Sequence, residues 1–177
     1  MKEEVVDRWC ESFGEFPPIG SFCRDELPAR WLRIHSLPES KRYPGTEPEY
    51  RELLRRHNEV ATTLLGDGDS CILFAATSDD DPPPFLAGLT FVEVPDLSAL
   101  QIHIAAAQVP WKPGRFDALI RAVADETAGP FLFANFERRT AYAPYDGGAD
   151  LFLASPDEVV TMKARWSGWL SARPDGL

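Results

Sequence analysis

Two stretches of the chain concentrate side chains that could do chemistry. The first, RIHSLPESKRYP at 33–44, carries Arg33, His35, Ser36, Ser40, Lys41, Arg42 and Tyr43. A guanidinium such as Arg33 or Arg42 can take a carboxylate or phosphate with two parallel N–H donors. Lys41 adds a point charge, and the serines add hydroxyl donors. No glycine-rich cradle accompanies them, so the stretch is not a P-loop. The second, APYDGGADLFL at 143–153, sets Asp146 and Asp150 on either side of Gly147-Gly148. Two carboxylates at that spacing could ligate a metal or form an acid/base pair. Asp-Gly-Gly is equally the chemistry of a tight turn entering a strand.

Catalytic assignments stop there. His35 and His103 are the candidates for general-base work, because an imidazole titrates near neutrality. No serine or cysteine sits in a nucleophile elbow, and no pair of histidines has zinc-ligand spacing. The three cysteines, Cys10, Cys23 and Cys71, are odd in number and form no C-x-x-C. They indicate neither a disulfide framework nor a zinc site. No metal and no cofactor is expected, and no catalytic residue is assigned.

The elements that must position these residues follow from periodicity. Thr46 and Glu49 have capping-box spacing with Pro48 in the first turn. The stripe Tyr50, Leu53, Leu54, His57, Val60, Ala61, Leu64, Leu65 then predicts a helix ended by Gly66. His57 lies on that apolar stripe and is expected as a hydrogen-bonded core histidine. Further helices are predicted over 115–128, from Ser155 onward with Pro156 and Glu158, and near 2–12. Trp166, Trp169 and Leu170 continue the inward stripe of the helix from Ser155. Strands are predicted over 30–36, 70–77, 85–94, 100–108, 131–137, 141–144 and 150–154. SDDDPPP at 78–84 reads as a stiff hairpin loop, since consecutive prolines cannot extend a ladder. Several strands run consecutively among the helices. The expected fold is therefore α+β, a single domain over 1–177, with a largely antiparallel sheet and helices packed mainly on one face.

That arrangement makes a specific expectation. Strand alternation sends Leu32 and Ile34 inward and Trp31, Arg33 and His35 the other way. Gln101 and His103 alternate with Leu100, Ile102 and Ile104, and Asn135 shares a face with Glu137. If one sheet face is open, these polar residues line it. It is then either a surface for an anionic or polar ligand, with Trp31 as a stacking platform, or a wetted sheet face with no ligand. The candidate ligand-binding set is Trp31, Arg33, His35, Ser36, Lys41, Arg42, His103, Asp146 and Asp150.

Charge narrows the function classes. The 177 residues hold 18 Lys/Arg and 28 Asp/Glu, a net charge of −10. Phosphate neutralisation needs the opposite balance, so nucleic acid is not an expected partner. Residues 24–56 alone are positive, with eight Lys/Arg against six Asp/Glu, which leaves −12 on the remainder. No apolar run approaches the roughly 20 residues of a membrane span, so no membrane partner is expected. MKEEVVDRWCESFG has no apolar signal core, which points to a cytoplasmic protein.

RIHSLPESKRYP with the following TEPEYRELLRRHN, and PYDGGADLFLAS with the terminal WSGWLSARPDGL, together resemble an uncharacterised family of small bacterial proteins. The resemblance runs over most of the chain. It implies a bacterial cytosolic protein and supplies no catalytic residue to carry over. Two expectations stand. The first is an acidic binding module that masks a basic protein partner, as an immunity protein masks a toxin. The alternative is a small-ligand binder or enzyme in which Arg33, His35, Lys41 and Arg42 hold an anion, with Asp146 and Asp150 beside them. The alternative requires the two stretches to meet in space.

Overall fold

The structure is a computed structural model and describes residues 2–77, 86, 88–98 and 102–171. Among the described residues, five α-helices surround one seven-stranded antiparallel sheet. The helices are α1 (Lys2–Ser12), α2 (Gly20–Glu26), α3 (Glu47–Leu65), α4 (Asp117–Ala124) and α5 (Pro156–Arg165). The strands are β1 (Trp31–His35), β2 (Ser70–Thr77), β3 (Val92–Glu93), β4 (His103–Pro110), β5 (Phe131–Asn135), β6 (Thr140–Tyr145) and β7 (Gly148–Phe152). Across the sheet they run β1-β7-β6-β5-β2-β4-β3. The fold is α+β. SDDDPPP and Gln101 lie outside the described residues.

The long apolar stripe predicted for α3 is what buries it. Leu53, Val60, Ala61, Leu64 and Leu65 pack with Leu119, Ile120 and Val123 of α4 onto Leu73, Val109, Phe133, Tyr142 and Leu151. Val159 and Trp166 join this core from α5 and the residue that follows it. The end of α3 is closed by tertiary partners. Thr140 Oγ1 and Asn135 Nδ2 donate to the carbonyls of Leu64 and Leu65, at 2.7 Å each. Gly66 then takes a positive φ of 82°, which an L side chain resists. At α5, Ser155 Oγ accepts from the Glu158 N–H as the spacing predicts, and Glu158 reaches back to the Ala154 N–H. At α3 the predicted box is replaced. Thr46 makes no side-chain cap, and Glu49 instead accepts from the Gly45 N–H and Lys41.

Three helices pack on one sheet face, but the other face is not open. Val5, Trp9 and Phe13 from α1 and its end, with Ile19 and Cys23 around α2, cover Ile72, Phe74, Ile104, Leu132 and Phe152. Trp9 is fully buried against Phe13, Phe16 and Phe74, and its Nε1–H donates to the Phe16 carbonyl. This corrects the expectation of a wetted face. Ala76, Ala106, Ala134, Ala141 and Ala143 stand on it. Short alanines give little hydrophobic signal in the sequence, yet they let two short helices lie close to the strands.

The β6–β7 hairpin closes through Asp146-Gly147, with Tyr145 paired to Gly148. β1 pairs antiparallel with β7, His35 opposite Gly148 and Arg33 opposite Asp150. The backbones approach closely there. A Cβ on Gly148 would lie 1.9 Å from the Ile34 carbonyl oxygen. Gly148→Ala is expected to destabilise the fold by about 3 kcal/mol, the upper end of ordinary overpacking, because backbone rather than a flexible side chain must give way. Urea unfolding measures it. A loss below about 1 kcal/mol would mean that β1 is not held at this register.

Candidate functional site

The β1–β7 register brings the two chemically rich stretches together. Asp150, 5% exposed, is the centre. Its Oδ1 accepts from Trp31 Nε1–H and Arg33 Nε–H, both at 2.8 Å, and its Oδ2 accepts from Arg33 Nη2–H at 3.0 Å. The Arg33 guanidinium is therefore engaged on two prongs by a residue of the same chain. Its faces are engaged too, with the Tyr145 ring centroid at 4.5 Å and that of Trp31 at 5.5 Å. Burial works against the charge on Arg33, but the hydrogen bonds and the charge of Asp150 outweigh it and raise its pKa. Burial pushes the Tyr145 hydroxyl up to about 12, so it stays protonated at neutral pH. Buried beneath the same carboxylate, the Cys23 thiol is also pushed up, and no thiolate forms there.

The remaining predicted residues divide. Arg42 and Asp146 form an exposed ion pair across the two stretches, and Lys41 pairs with Glu49. The cations expected to grip an anion are thus neutralised internally. The two aspartates take separate guanidinium partners rather than forming an acid/base pair. No group of three or more His, Cys, Asp or Glu among the described residues is placed to hold a metal ion. His35 lies on the Arg33 face, half-buried, and its Nε2 has no hydrogen-bond partner. Burial, then Arg33 and Arg56, lowers its pKa, so the imidazole is neutral at pH 7.

Three expectations about the shared surface are corrected. Ser36 is not on it. Its side chain is fully buried on the α3 face, with Oγ 2.7 Å from His57 Nε2, and His57 Nδ1 is 2.6 Å from the Tyr142 hydroxyl. His57 is the hydrogen-bonded core histidine that its place on the stripe predicts. His103 is exposed but belongs to β4, four strands from β7 across the sheet, and alternates with Ile104 and Ala106, which face α1 and α2. It therefore points to the opposite face from Arg33. Asn135 likewise points to α3 and closes that helix, while Glu137 lies beyond β5 and pairs with Arg8.

Two features escaped the sequence reading. The first is a cleft of about 320 Å³ where α2 crosses the ends of β6 and β7. Arg24, Ser21, Pro130, Pro144, Tyr145 and Asp150 are in its wall. Tyr145 could have been found, because it alternates with Ala141 and Ala143 onto one strand face. Arg24 could not, because α2 has seven residues and no side-chain cap. The second is an acidic ridge. Glu3, Asp7 and Glu11 follow one another at i, i+4 along α1, all exposed, while Val5, Trp9 and Ser12 face inward. The ridge leads to a cleft of about 340 Å³ walled by Cys10, Glu15, Phe16 and Asp96. Among the described residues, no ion pair engages Glu3, Asp7, Glu11 or Glu15. Burial, Glu15 and Asp7 together raise the Cys10 thiol pKa, which leaves it an unreactive neighbour.

The class defined by this geometry is an α+β protein with an antiparallel sheet covered on both faces and a buried guanidinium–carboxylate pair joining its edge strand to the neighbouring hairpin. The chain belongs to the family described as Domain of unknown function (DUF3885), whose model matches residues 19–174. No curated protein and no solved structure matches it. The matched segment includes both RIHSLPESKRYP and PYDGGAD and begins after α1. No helix among the described residues is long and apolar enough to cross a membrane.

Proposed function

We propose that the protein is a binding module that masks a basic protein partner with the acidic side of α1. The observation that carries the reading is the ridge Glu3, Asp7, Glu11, which runs into a cleft flanked by Glu15 and Asp96. Like charges at i, i+4 oppose one another and destabilise an isolated helix. Among the described residues they have no ion-pair partners, whereas the cations of the 33–44 loop are consumed by Glu49, Asp146 and Asp150. A basic partner relieves that repulsion. The cleft can receive one Lys or Arg stem as an anchor, the kind of residue on which binding energy concentrates. Attraction between such faces also speeds encounter, and salt weakens it.

The test compares the unmodified chain with Glu3→Gln/Asp7→Asn/Glu11→Gln/Glu15→Gln as immobilised baits in lysate of the source cells. The unmodified chain is expected to retain a basic protein that is released by about 1 M salt, where the screening length is only about 3 Å. The neutralised chain, folded by its unfolding curve, is expected to bind the same protein at least about tenfold more weakly. If no basic protein is retained, or if both baits hold the same protein equally, the ridge is only a solvated helix face and the proposal fails.

A further inference from the structure

The cleft between α2 and the sheet points to a ligand of its own, independent of the acidic ridge. Arg24 reaches into it from α2. Its guanidinium lies 3.9 Å from Asp150 Oδ2 and 3.7 Å from Asp25 Oδ1, both beyond hydrogen-bonding distance. Among the described residues it donates no hydrogen bond, although its side chain is only 31% exposed. Every neighbouring arginine on this face is differently placed: Arg33 is bound bidentately by Asp150, and Arg30 donates to the carbonyls of Ser12, Arg139 and Leu153. Of these three arginines, Arg24 is the one whose N–H donors are not used in hydrogen bonds, and it lines a cavity. The walls around it are flat and apolar, from Pro130, Pro144 and the Tyr145 ring.

Charge then selects the ligand class. Within the lining Arg33 and Asp150 cancel, and Asp25 lies outside it with its side chain 75% exposed, so Arg24 leaves the lining one net positive charge. A monoanion matches it. A phosphate dianion would set its second charge against the Asp150 carboxylate, which lies in the same wall. The volume of about 320 Å³ sits at the small end of ligand pockets. We propose that this cleft binds a small monocarboxylate, with Arg24 taking the carboxylate on two N–H donors and Pro130, Pro144 and Tyr145 packing on its apolar body.

The probes are benzoate, its uncharged analogue benzamide, and inorganic phosphate, each titrated into the full chain and followed by amide and arginine Nε–H resonances. Benzoate is expected to give saturable shifts at Arg24, Ser21, Ala143 and Tyr145 at millimolar concentration. Benzamide and phosphate are expected to bind at least about tenfold more weakly, and Arg24→Gln to weaken benzoate by at least about the same factor. Equal response to benzoate and benzamide, tighter binding of phosphate, benzoate shifts unchanged in Arg24→Gln, or no saturable shift would each overturn the proposal. The comparison of probes uses the unmodified chain, so it stands even if the variant misfolds.

Discussion

Asp150→Ala is expected to cost about 3–5 kcal/mol of folding stability, the loss that follows when one member of a buried ion pair is deleted. The carboxylate is the acceptor for both Arg33 and Trp31. Without it a guanidinium that is only 12% exposed remains inside the protein without its hydrogen-bonded counter-charge. The pair itself is a different matter. Its mutual attraction is offset by the desolvation of both ions, so Arg33→Met with Asp150→Leu should recover most of the loss. Urea unfolding of the two single variants and the double variant gives the coupling directly. Single losses below about 1 kcal/mol would mean that water already screens the pair. This site would then be a surface contact rather than the clamp between β1 and β7.

The second large effect lies on the other face. His57→Ala is expected to cost about 4 kcal/mol. It leaves a cavity and strips the fully buried Ser36 and Tyr142 hydroxyls of their shared partner, at about 1–3 kcal/mol for each group left unsatisfied. The same residue predicts a pH dependence. Burial, with a smaller contribution from Arg56, pushes the imidazole pKa down to about 3 in the folded protein, against about 6.5 when unfolded. Between those values the unfolded chain holds the extra proton. Stability is therefore complete above about pH 6.5 and falls on acidification by about 1 kcal/mol per pH unit. His35, with its pKa lowered as well, adds in the same direction. The stability that Glu49 and Glu52 gain from pKa values lowered from 4.5 to about 2 is complete above about pH 4.5 and is lost only as pH falls from there toward 2. Between pH 5 and 6.5 (the window of an ordinary histidine, about 6.5), the slope in His57→Gln should be clearly flatter. An unchanged slope would show that His57 is not the group responsible.

Legibility in the sequence followed the range of the interactions. The α3 stripe, the Ser155 cap, the alternation in β1 and the turn at Asp146-Gly147 are local patterns, and each was readable from a handful of neighbouring residues. So was the burial of His57, because its position on the stripe determines its surroundings. The reading of one wet sheet face was not secure in the same way. Ala76, Ala106, Ala134, Ala141 and Ala143 on that face carry little hydrophobic signal, and nothing local marks α2, whose seven residues lack a side-chain cap. Once α1 and α2 cover that face, Arg33 becomes part of a buried pair rather than a free ligand grip. Arg24, absent from the predicted set, lines the cleft with only long ion pairs to Asp25 and Asp150 and no hydrogen bond.

What the sequence determined by itself was the α+β class, the helical and strand periods, the negative charge, and two short stretches rich in functional groups. These depend on residues close in the chain and on composition, which local sterics and solvation read without a partner. What only the tertiary structure decided was which groups neutralise which. Arg33 and Asp150 are 117 residues apart, and Arg42 and Asp146 are 104 apart. Their pairing depends on β1 docking against β7, a contact specified by register and by the close approach at Gly148. Nothing local distinguishes an arginine that will meet a carboxylate from one that will not. That assignment is made by strand order, and it leaves Arg24 facing a cleft and the acidic side of α1 facing water.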